Sequence, residues 1–209
     1  MSPRPRATTD EHLLAATHRV VSRLGPNLTL ADVATEAGVS PATLMQRFGS
    51  KRGLLLAFAA AGSADMTAAF AAMRAKHHTA LAAVYEIARC MAAMAATPET
   101  LSNSLAFLQM DLVDPDFHQH ALAHSRGMRA GIKGFLDEAV DAGELQRCDT
   151  LRLARAVQAL IGGSLLQWAV DRDGKVGERL IEDLDALLKP RHCPPRERRR
   201  HVRRPVKRA

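Results

Sequence analysis

Residues 29–55 read TLADVATEAGVSPATLMQRFGSKRGLL, and this stretch predicts two short helices followed by the start of a third. Thr29 and Asp32 form a T-x-x-D pair that resembles a capping box, so one helix is predicted to begin directly after Thr29. Gly38 can adopt the left-handed conformation that ends a helix, and Ser40 is a good N-cap for the next one. Two short helices joined at a glycine form a helix-turn-helix.

The second of these helices has an inward and an outward face. The residues that can pack inward lie three and four positions apart: Pro41, Leu44 and Phe48. This spacing leaves Thr43, Gln46 and Arg47 together on the outer face. Gln pairs with adenine, Arg pairs with guanine, and a Thr methyl contacts thymine, so this face suits a helix lying in the major groove.

The third helix is predicted to begin after Ser50, with Lys51 and Arg52 in its first turn. A cation at this position opposes the helix dipole. The placement becomes favourable when an anion such as a DNA phosphate is bound at the same helix terminus. The pattern therefore indicates phosphate contacts beside the outward-facing triplet.

This stretch resembles the DNA-binding domain of the tetracycline-repressor (TetR) family, whose pattern is roughly T-x-x-x-[IVL]-A-x-x-A-G-V-S-x-x-x-[LI]-Y-x-[HY]-F-x-[SN]-K-x-x-L. The matching residues are Thr29, Val33, Ala34, Ala37, Gly38, Val39, Ser40, Leu44, Phe48, Ser50, Lys51 and Leu54. Met45 departs from the pattern, because the family usually has a Tyr there whose hydroxyl bonds a backbone phosphate, and a thioether cannot donate. The match covers about residues 8 to 68, and the rest resembles the family only in its helical, Ala/Leu-rich layout.

The resemblance implies an all-α protein with an N-terminal three-helix helix-turn-helix domain and a larger helical C-terminal domain for ligand binding and dimerisation. The predicted segments are a disordered basic arm (1–7), the DNA-binding domain (8–54) with its last helix continuing to about residue 75, the regulatory and dimerisation domain (76–189), and a disordered basic tail (190–209). The residues predicted to contact DNA are Thr29, Pro41, Ala42, Thr43, Met45, Gln46, Arg47 and Lys51.

Composition favours helix packing, since 47% of the 209 residues are hydrophobic and only 4% are aromatic. Cys90, Cys148 and Cys193 are odd in number and far apart, which predicts neither a disulfide framework nor a zinc cluster and fits a reducing cytoplasm. The N-terminus lacks a signal-peptide core, and the longest apolar stretch, residues 157–170, is too short for a membrane span. We therefore expect a cytoplasmic protein without a membrane partner.

The formal net charge of +7 is unevenly distributed. Residues 189–209 contain ten Lys or Arg and one Glu, a local charge of +9, which leaves −2 for residues 1–188. Residues 1–52 contain seven Lys or Arg against four Asp or Glu. Positive potential is therefore expected at the helix-turn-helix and at the tail.

Capping residues and apolar spacing predict further helices along the chain. The first of them is capped by Thr8 and ends at Gly25-Pro26. The later predicted helices are residues 77–96, a helix from Thr97 to Asp114, one capped by Asp116 that runs to about Ala142, one from Asp149 or Thr150 to Asp171, and one from Val176 to Leu188. Gly162-Gly163 lies inside the penultimate helix, where glycine is unfavourable unless another helix approaches closely. The resemblance implies that the last two helices form a four-helix bundle in a homodimer.

The residues predicted for the dimer interface are Leu160, Gly162, Gly163, Leu165, Leu180, Leu184 and Leu188. The residues predicted to line a ligand pocket are Met91, Met94, Phe107, Leu108, Phe135 and Trp168. Methionine suits a pocket because its thioether side chain adapts to irregular shapes, although Met and Ala at helical spacing are more often ordinary core.

Competing chemistries have weaker support. His118, His120 and His124 lie near Asp111, Asp114 and Asp116, which resembles a metal-ligand cluster, but Asp114 and Asp116 already have local roles at a helix boundary. We predict no bound metal and no cofactor. The sequence has no P-loop, no G-x-G-x-x-G and no H-E-x-x-H, so an enzyme is not predicted.

The favoured interpretation is a homodimeric transcriptional regulator, a repressor released from palindromic operator DNA by a small-molecule effector. One alternative is an architectural DNA binder that depends on its basic tail and has little sequence preference. Another is a ligand-binding dimer that no longer binds DNA, which the departure at Met45 favours.

Overall fold

The computed structural model describes residues 8–64 and 66–193. The predicted basic arm and most of the predicted tail lie outside the described residues. Within them the regular structure is ten α-helices: α1 Asp10–Leu24, α2 Leu30–Ala37, α3 Pro41–Phe48, α4 Lys51–Ser63, α5 Met66–Ala75, α6 Ala80–Met94, α7 Pro98–Val113, α8 Pro115–Asp141, α9 Thr150–Asp171 and α10 Val176–Leu188. The prediction of an all-α protein is confirmed.

Local side-chain signals fix the ends of the first helices as predicted. Thr29 and Asp32 form a reciprocal capping box at the start of α2, and Gly38 ends that helix with φ +67°. Ser40 accepts a hydrogen bond from the Thr43 backbone N–H and caps α3. The boundaries of the helix-turn-helix therefore depend on interactions within a few residues of each helix end.

Three helix starts differ slightly from the prediction. α1 is capped by Thr9 instead of Thr8, and α6 begins after Thr79 instead of at residue 77. The cap of α8 is Asp114, whose carboxylate accepts from the backbone N–H of Asp116. Pro115 follows this cap at the first helical position, where its missing N–H costs nothing, so the helix starts two residues earlier than the Asp116 cap predicted.

The predicted continuous helix from residue 51 to 75 is wrong. α4 ends at Ser63, and Ala64 has an extended backbone with ψ 147°. Gly62 and Ser63 are weak helix formers. The Ser63 hydroxyl also donates to the backbone carbonyl of Ala60, a bond that competes with the backbone hydrogen bonds of the helix. The chain therefore continues as a separate helix, α5.

Helix α5 packs against glycines of α8. A Cβ at Gly131 would lie 2.3 Å from the ring of Phe70, and one at Gly127 would lie 2.8 Å from the sulfur of Met66. The Phe70 ring also contacts Phe135 edge-on, with ring centroids 5.7 Å apart. This close approach, which depends on residues more than 50 positions away, determines the direction of α5.

Two hydrophobic cores divide the described chain. The first joins α1 to α4 and includes Leu44, Leu54 and the fully buried Phe117 of α8. The second is built from α6, α8, α9 and α10 and includes Ile132, Val157 and other buried residues. Because α8 contributes to both cores, it connects the helix-turn-helix domain to the larger domain.

The chain remains ordered past the predicted start of the tail at Pro190. Residues 189–191 form a short 3-10 turn, and residues 191–193 pair antiparallel with residues 144–146. The Gln146 N–H donates to the Arg191 carbonyl and the Cys193 N–H donates to the Glu144 carbonyl. Backbone pairing with the α8–α9 loop therefore holds this segment, which lacks an apolar pattern of its own.

No single helix in the described residues is long and apolar enough to cross a membrane, although two bent pairs, α4 with α5 and α6 with α7, have sufficient length and apolar content together.

Candidate nucleic-acid interface

The outward face of α3 is exposed as the sequence predicts. Leu44 is fully buried and Phe48 packs against the N-terminal core, whereas Thr43, Gln46 and Arg47 are exposed. Pro41 is exposed as well, so the prediction that it packs inward is wrong. Pro41 is the first residue of α3, and its ring lies at the end of the helix instead of over the core. With Ala42 and Met45, which are also exposed, the outward residues form one surface.

Arg47 is folded back onto the start of α1. Its Nε lies 2.5 Å from a carboxylate oxygen of Asp10, and its Nη2 donates weakly to the carbonyl of Thr8 at 3.5 Å. Both side chains of this ion pair are about half exposed. Exposed ion pairs contribute about 0 to 1 kcal/mol, so a DNA base could replace the Asp10 carboxylate as the partner of Arg47.

Thr43 and Thr29 already take part in helix caps. The Thr43 hydroxyl lies 2.9 Å from the Ser40 hydroxyl, which leaves its methyl group available for an apolar contact. Both the backbone N–H and the hydroxyl of Thr29 donate to the Asp32 carboxylate at 2.7 Å. These hydrogen bonds keep the pKa of Asp32 below its ordinary value. Thr29 therefore stabilises α2 in the DNA-free chain, and its contact with DNA stays a prediction.

The two basic residues at the start of α4 have different surroundings. Lys51 is half-buried and makes no ion pair within the described residues. Arg52 donates to the carboxylates of Asp114 and Asp116 at 2.8 and 2.9 Å. Its guanidinium also lies 5.5 Å from the centroid of the Phe117 ring. The anion that the sequence predicted at this helix terminus is, for Arg52, a pair of carboxylates from the same chain.

This Arg52 cluster connects the helix-turn-helix domain to the α7–α8 turn. The guanidinium of Arg52 keeps the pKa of Asp114 below its ordinary value. At the other end of α4, the ring Nδ1 of His124 lies 2.9 Å from the carbonyl oxygen of Gly62. Both ends of α4 are thus bonded to α8 or to the turn before it. Sequence reasoning missed these contacts, and its only available signal was the unfavourable placement of Arg52 in a first turn.

The histidines do not form the metal cluster considered from sequence. Asp114 and Asp116 bind Arg52, and His124 binds Gly62. No group of three or more potential ligands with metal-binding geometry occurs in residues 8–64 and 66–193. Asp111 is the exception among the acids, since one of its carboxylate oxygens is buried without a hydrogen-bond partner.

The predicted dimer interface needs correction. Four of its leucines are buried inside the subunit, where they pack in the second core: Leu165, Leu180, Leu184 and Leu188. Leu160 is half-buried, and Gly162 and Gly163 are exposed. The apolar stripe of α10 therefore packs against α6 and α9 of its own chain. An apolar pattern in the sequence does not distinguish packing within the subunit from packing against a second subunit.

An apolar face does remain open on α9. It combines the two exposed glycines with Leu166, which is 49% exposed, and Val170, which is 71% exposed. A Cβ placed at Gly162 or Gly163 would meet no atom within 4 Å among the described residues. The close helix approach that these glycines permit is consequently not used inside the subunit.

The six residues predicted for one ligand pocket lie in different places, so that prediction is wrong. Met94 and Leu108 are exposed. Phe107 of α7 packs edge-on against Phe58 and Phe117 at the N-terminal hydrophobic core. Phe135 borders the groove between α5 and α8, and Trp168 borders a concavity between α6 and α10.

Only Met91 of that set lines a more enclosed cavity, of about 140 Å³, between α6, α8 and α9. The concavity beside Trp168 is larger, about 920 Å³, but it is wide open to solvent. The small cavity includes His124, whose ring binds the last turn of α4. Through His124 this cavity is connected to the helix that leaves the DNA-binding domain, and the groove between α5 and α8 contacts the same helix at Ser63.

Two family models match the chain. Residues 13–58 match the bacterial regulatory proteins of the tetR family, and residues 81–191 match the C-terminal domain of BetI-type transcriptional repressors. No curated protein sequence matches the chain significantly.

Solved structures share the fold at low identity. A TetR transcription regulator from Haloarcula marismortui is 16% identical with a TM-score of 0.71, and the match covers 88% of this chain and 97% of that one. Reduced NemR from E. coli is 17% identical with a TM-score of 0.70, over 89% and 98% of the two chains. FadR from Bacillus subtilis in complex with stearoyl-CoA is 18% identical with a TM-score of 0.64, over 88% and 100%.

The family models cover the capped helix-turn-helix and the helical domain that follows it, and the full-length structures repeat the same arrangement. This chain belongs to the TetR family of bacterial transcriptional regulators and carries a C-terminal domain of the BetI-type repressors.

Proposed function

We propose that this protein is a homodimeric repressor that binds palindromic operator DNA in the cytoplasm and is released by a small-molecule effector. The observation that carries the proposal is the capped helix α3, which exposes Thr43, Gln46 and Arg47 on one face. A short helix with rigid ends can enter the major groove as a unit, so that its polar side chains reach base edges together.

We expect a homodimer because a palindromic operator has two identical half-sites, and each one binds the recognition helix of one subunit. Two recognition helices related by a twofold axis contact two half-sites about one DNA turn apart, or a multiple of it. The open apolar face of α9, with Gly163 and Leu166, is the surface that we assign to the partner subunit.

Effector release requires two conformations with different affinities for the ligand. A near-complete switch needs the effector to bind the conformation that cannot engage DNA roughly 10⁴-fold more tightly than the other. The structure of FadR from Bacillus subtilis holds stearoyl-CoA, which supports a ligand site in a chain with this fold. The contacts of α4 with His124 and with the Arg52 cluster provide a connection between such a site and the DNA-binding domain.

The direct test measures binding of the protein to the DNA upstream of its own gene and to random DNA, each at several salt concentrations. Arg47→Ala and Gln46→Ala are expected to cost about 1 to 3 kcal/mol on operator DNA and little on random DNA, because they remove base contacts. Lys51→Ala is expected to weaken both and to reduce the salt dependence. Equal losses on both DNAs for Arg47→Ala would exclude a base-reading role.

A further inference from the structure

Three arginines border an open concavity on the surface between α8 and α9. Arg129 of α8 and Arg152 and Arg155 of α9 line it together with Ser125, Gln158 and two alanines, and its volume is about 660 Å³. The lining therefore contains no large apolar side chain within the described chain. A ligand in this concavity is held by charge and by hydrogen bonds, whereas most small-molecule sites are mainly apolar.

These three arginines have no carboxylate partner. None of them forms an ion pair within the described residues, although arginines of α1, α3, α4, α5, α6 and α10 do. Two acids lie near the start of α9, and both are already bonded. The Asp149 carboxylate accepts from the backbone N–H of Arg152, and the Asp137 carboxylate accepts from Lys133 and from the Thr150 hydroxyl.

The start of α9 adds to the positive potential at this place. Thr150 is the first residue of the helix, so Arg152 lies in the first turn, where the helix dipole is also positive. The N-cap Asp149 supplies one negative charge against three guanidiniums. Like charges that share a concavity repel each other, and a bound anion removes both this repulsion and the unfavourable interaction with the dipole.

The donors of the concavity are available on two helices. Arg129 uses only its Nε, which donates to the Gln158 side-chain oxygen at 3.4 Å, so its two Nη groups are available. The Ser125 hydroxyl accepts from the Gln158 amide nitrogen at 3.3 Å and keeps its own hydrogen for a ligand. Each guanidinium is a planar fork that can bond two oxygens of one phosphoryl group.

The spacing of the arginines favours a ligand with more than one phosphoryl group. Arg152 and Arg155 are three positions apart on one helix, which places their Cβ atoms about 5 to 6 Å from each other. Arg129 approaches from the facing helix, whose axis lies about 8 to 10 Å away. A carboxylate balances only one of the three charges, whereas a diphosphate carries several negative charges on two linked groups.

We propose that this concavity binds an oligophosphate, with Arg152 and Arg155 on one phosphoryl group and Arg129 on the next. The site involves neither α3 nor α4, so the inference does not rest on the proposed function. A free oligophosphate and a nucleoside diphosphate share this chemistry. ADP and pyrophosphate are therefore compared to distinguish the two sources, and binding of either one supports the site.

The first test is calorimetry on the full-length protein with pyrophosphate, inorganic phosphate and acetate, at constant ionic strength and without divalent cations. We expect pyrophosphate to bind at least about tenfold more tightly than phosphate, because it reaches the guanidiniums of both helices. Acetate should show no saturable binding. Equal affinities for the three anions would mean unspecific attraction to positive charge and would overturn the proposal.

The second test removes single guanidiniums. Arg129→Gln and Arg155→Gln are each expected to weaken pyrophosphate binding about tenfold, because one charge-assisted fork is lost. Arg155→Lys should lose less, since it keeps the charge without the fork. The control is Arg172→Gln at the exposed C-cap of α9, roughly 30 Å from Arg152 along the helix.

Arg172→Gln removes the same charge at a distance beyond the Debye length, so pyrophosphate affinity should stay within about twofold of the wild type. Equal losses for Arg172→Gln and Arg155→Gln overturn the site. Circular dichroism spectra of all variants should match that of the wild type, since these side chains are not part of either hydrophobic core.

The last test asks whether the arginines have a macromolecular partner instead. Arg129→Gln is expected to leave the dimer dissociation constant and the affinity for random DNA unchanged. A tenfold loss in either measurement, without pyrophosphate binding by the wild type, assigns the cluster to the second subunit or to the DNA backbone and overturns the ligand site. If the wild type binds no DNA, the proposed function fails, and calorimetry with pyrophosphate still decides this inference.

Discussion

Arg47 lies on the outward face of α3, yet in the DNA-free chain its guanidinium is paired with Asp10. This contact competes with any base for the same nitrogen atoms. We expect Asp10→Ala to raise operator affinity by up to about fivefold, since an exposed ion pair is worth at most about 1 kcal/mol. Fluorescence anisotropy with labelled operator DNA measures the change.

Glu11 provides the control for the loss of one negative charge. It is the neighbouring acid in the first turn of α1 and makes no ion pair within the described residues. Glu11→Ala should therefore raise operator affinity only by the general electrostatic effect of removing one negative charge. If Asp10→Ala has the same effect in an Arg47→Ala background as in the wild type, the pairing does not compete with DNA.

Asp111 carries the clearest pH dependence of a single residue. Burial raises its pKa from 3.8 to about 6, and the charges of His124, His118 and His120 oppose this rise. Because the folded chain holds this proton more tightly than the unfolded chain, the free energy of unfolding falls as the pH rises from about 4 to 6. The contribution lost over that range is roughly 1 to 3 kcal/mol.

Asp111→Asn should remove this contribution, since the amide does not titrate. Urea unfolding of both proteins between pH 4 and 7.5 is expected to show a stability difference that moves in favour of the variant as the pH rises. Asp173→Asn, in an exposed loop, is the control and should leave the pH profile unchanged. Parallel profiles for wild type and Asp111→Asn would contradict the assignment.

At the scale of helices, the contact between α5 and α8 depends on the absence of one side chain. A Cβ at Gly131 would lie 2.3 Å from the Phe70 ring, whereas a Cβ at Gly134 meets nothing within 4 Å among the described residues. Gly131→Ala is expected to displace α5 and to lower the free energy of unfolding by about 1 to 3 kcal/mol, as overpacking does. Gly134→Ala should instead stabilise α8 by up to about 1 kcal/mol through helix propensity.

Urea unfolding of the two variants measures the difference, and Phe70→Leu in the Gly131→Ala chain should recover part of the loss by removing the obstructing ring. Equal stability of Gly131→Ala and Gly134→Ala would show that α5 is not held by this contact.

The same contact shows why some elements were predictable and others were not. Ser40 and Gly38 fix the ends of α2 and α3 through bonds to nearby backbone atoms, so a sequence pattern contains all the information required. The end of α4 depends partly on Gly131 and Phe70, which become neighbours only after folding. The absence of proline and the abundance of alanine predicted helix over residues 51–75 but not the break between α4 and α5.

At the scale of the whole molecule, the exposed face of α3 that we propose to read DNA was predictable and its surroundings were not. Thr43, Gln46 and Arg47 are exposed because their spacing on a short helix opposes that of Leu44. The pocket prediction failed because an apolar helix face looks alike in sequence whether it borders a cavity, a core or solvent. His124 was considered as a metal ligand, but its bond to Gly62 joins segments 62 positions apart.

The proposed assembly of two subunits depends on the open face of α9. Gly163 lies on the open face of α9, and a side chain there meets nothing inside the subunit within the described residues. Gly163→Arg is therefore expected to preserve the helical circular dichroism spectrum while placing an unpaired charge in the proposed interface. An uncompensated buried charge costs about 3 to 5 kcal/mol, so the dimer dissociation constant should rise at least about 100-fold.

Analytical ultracentrifugation measures this constant, and Gly134→Arg, the same substitution at an open position on α8, serves as the control. A monomeric Gly163→Arg chain should also lose affinity for a full palindrome while binding an isolated half-site as the wild type does, because its α3 surface is unaltered. If Gly163→Arg remains a dimer, the partner subunit does not lie on α9, and the spacing of the two recognition helices has to be set by a different face.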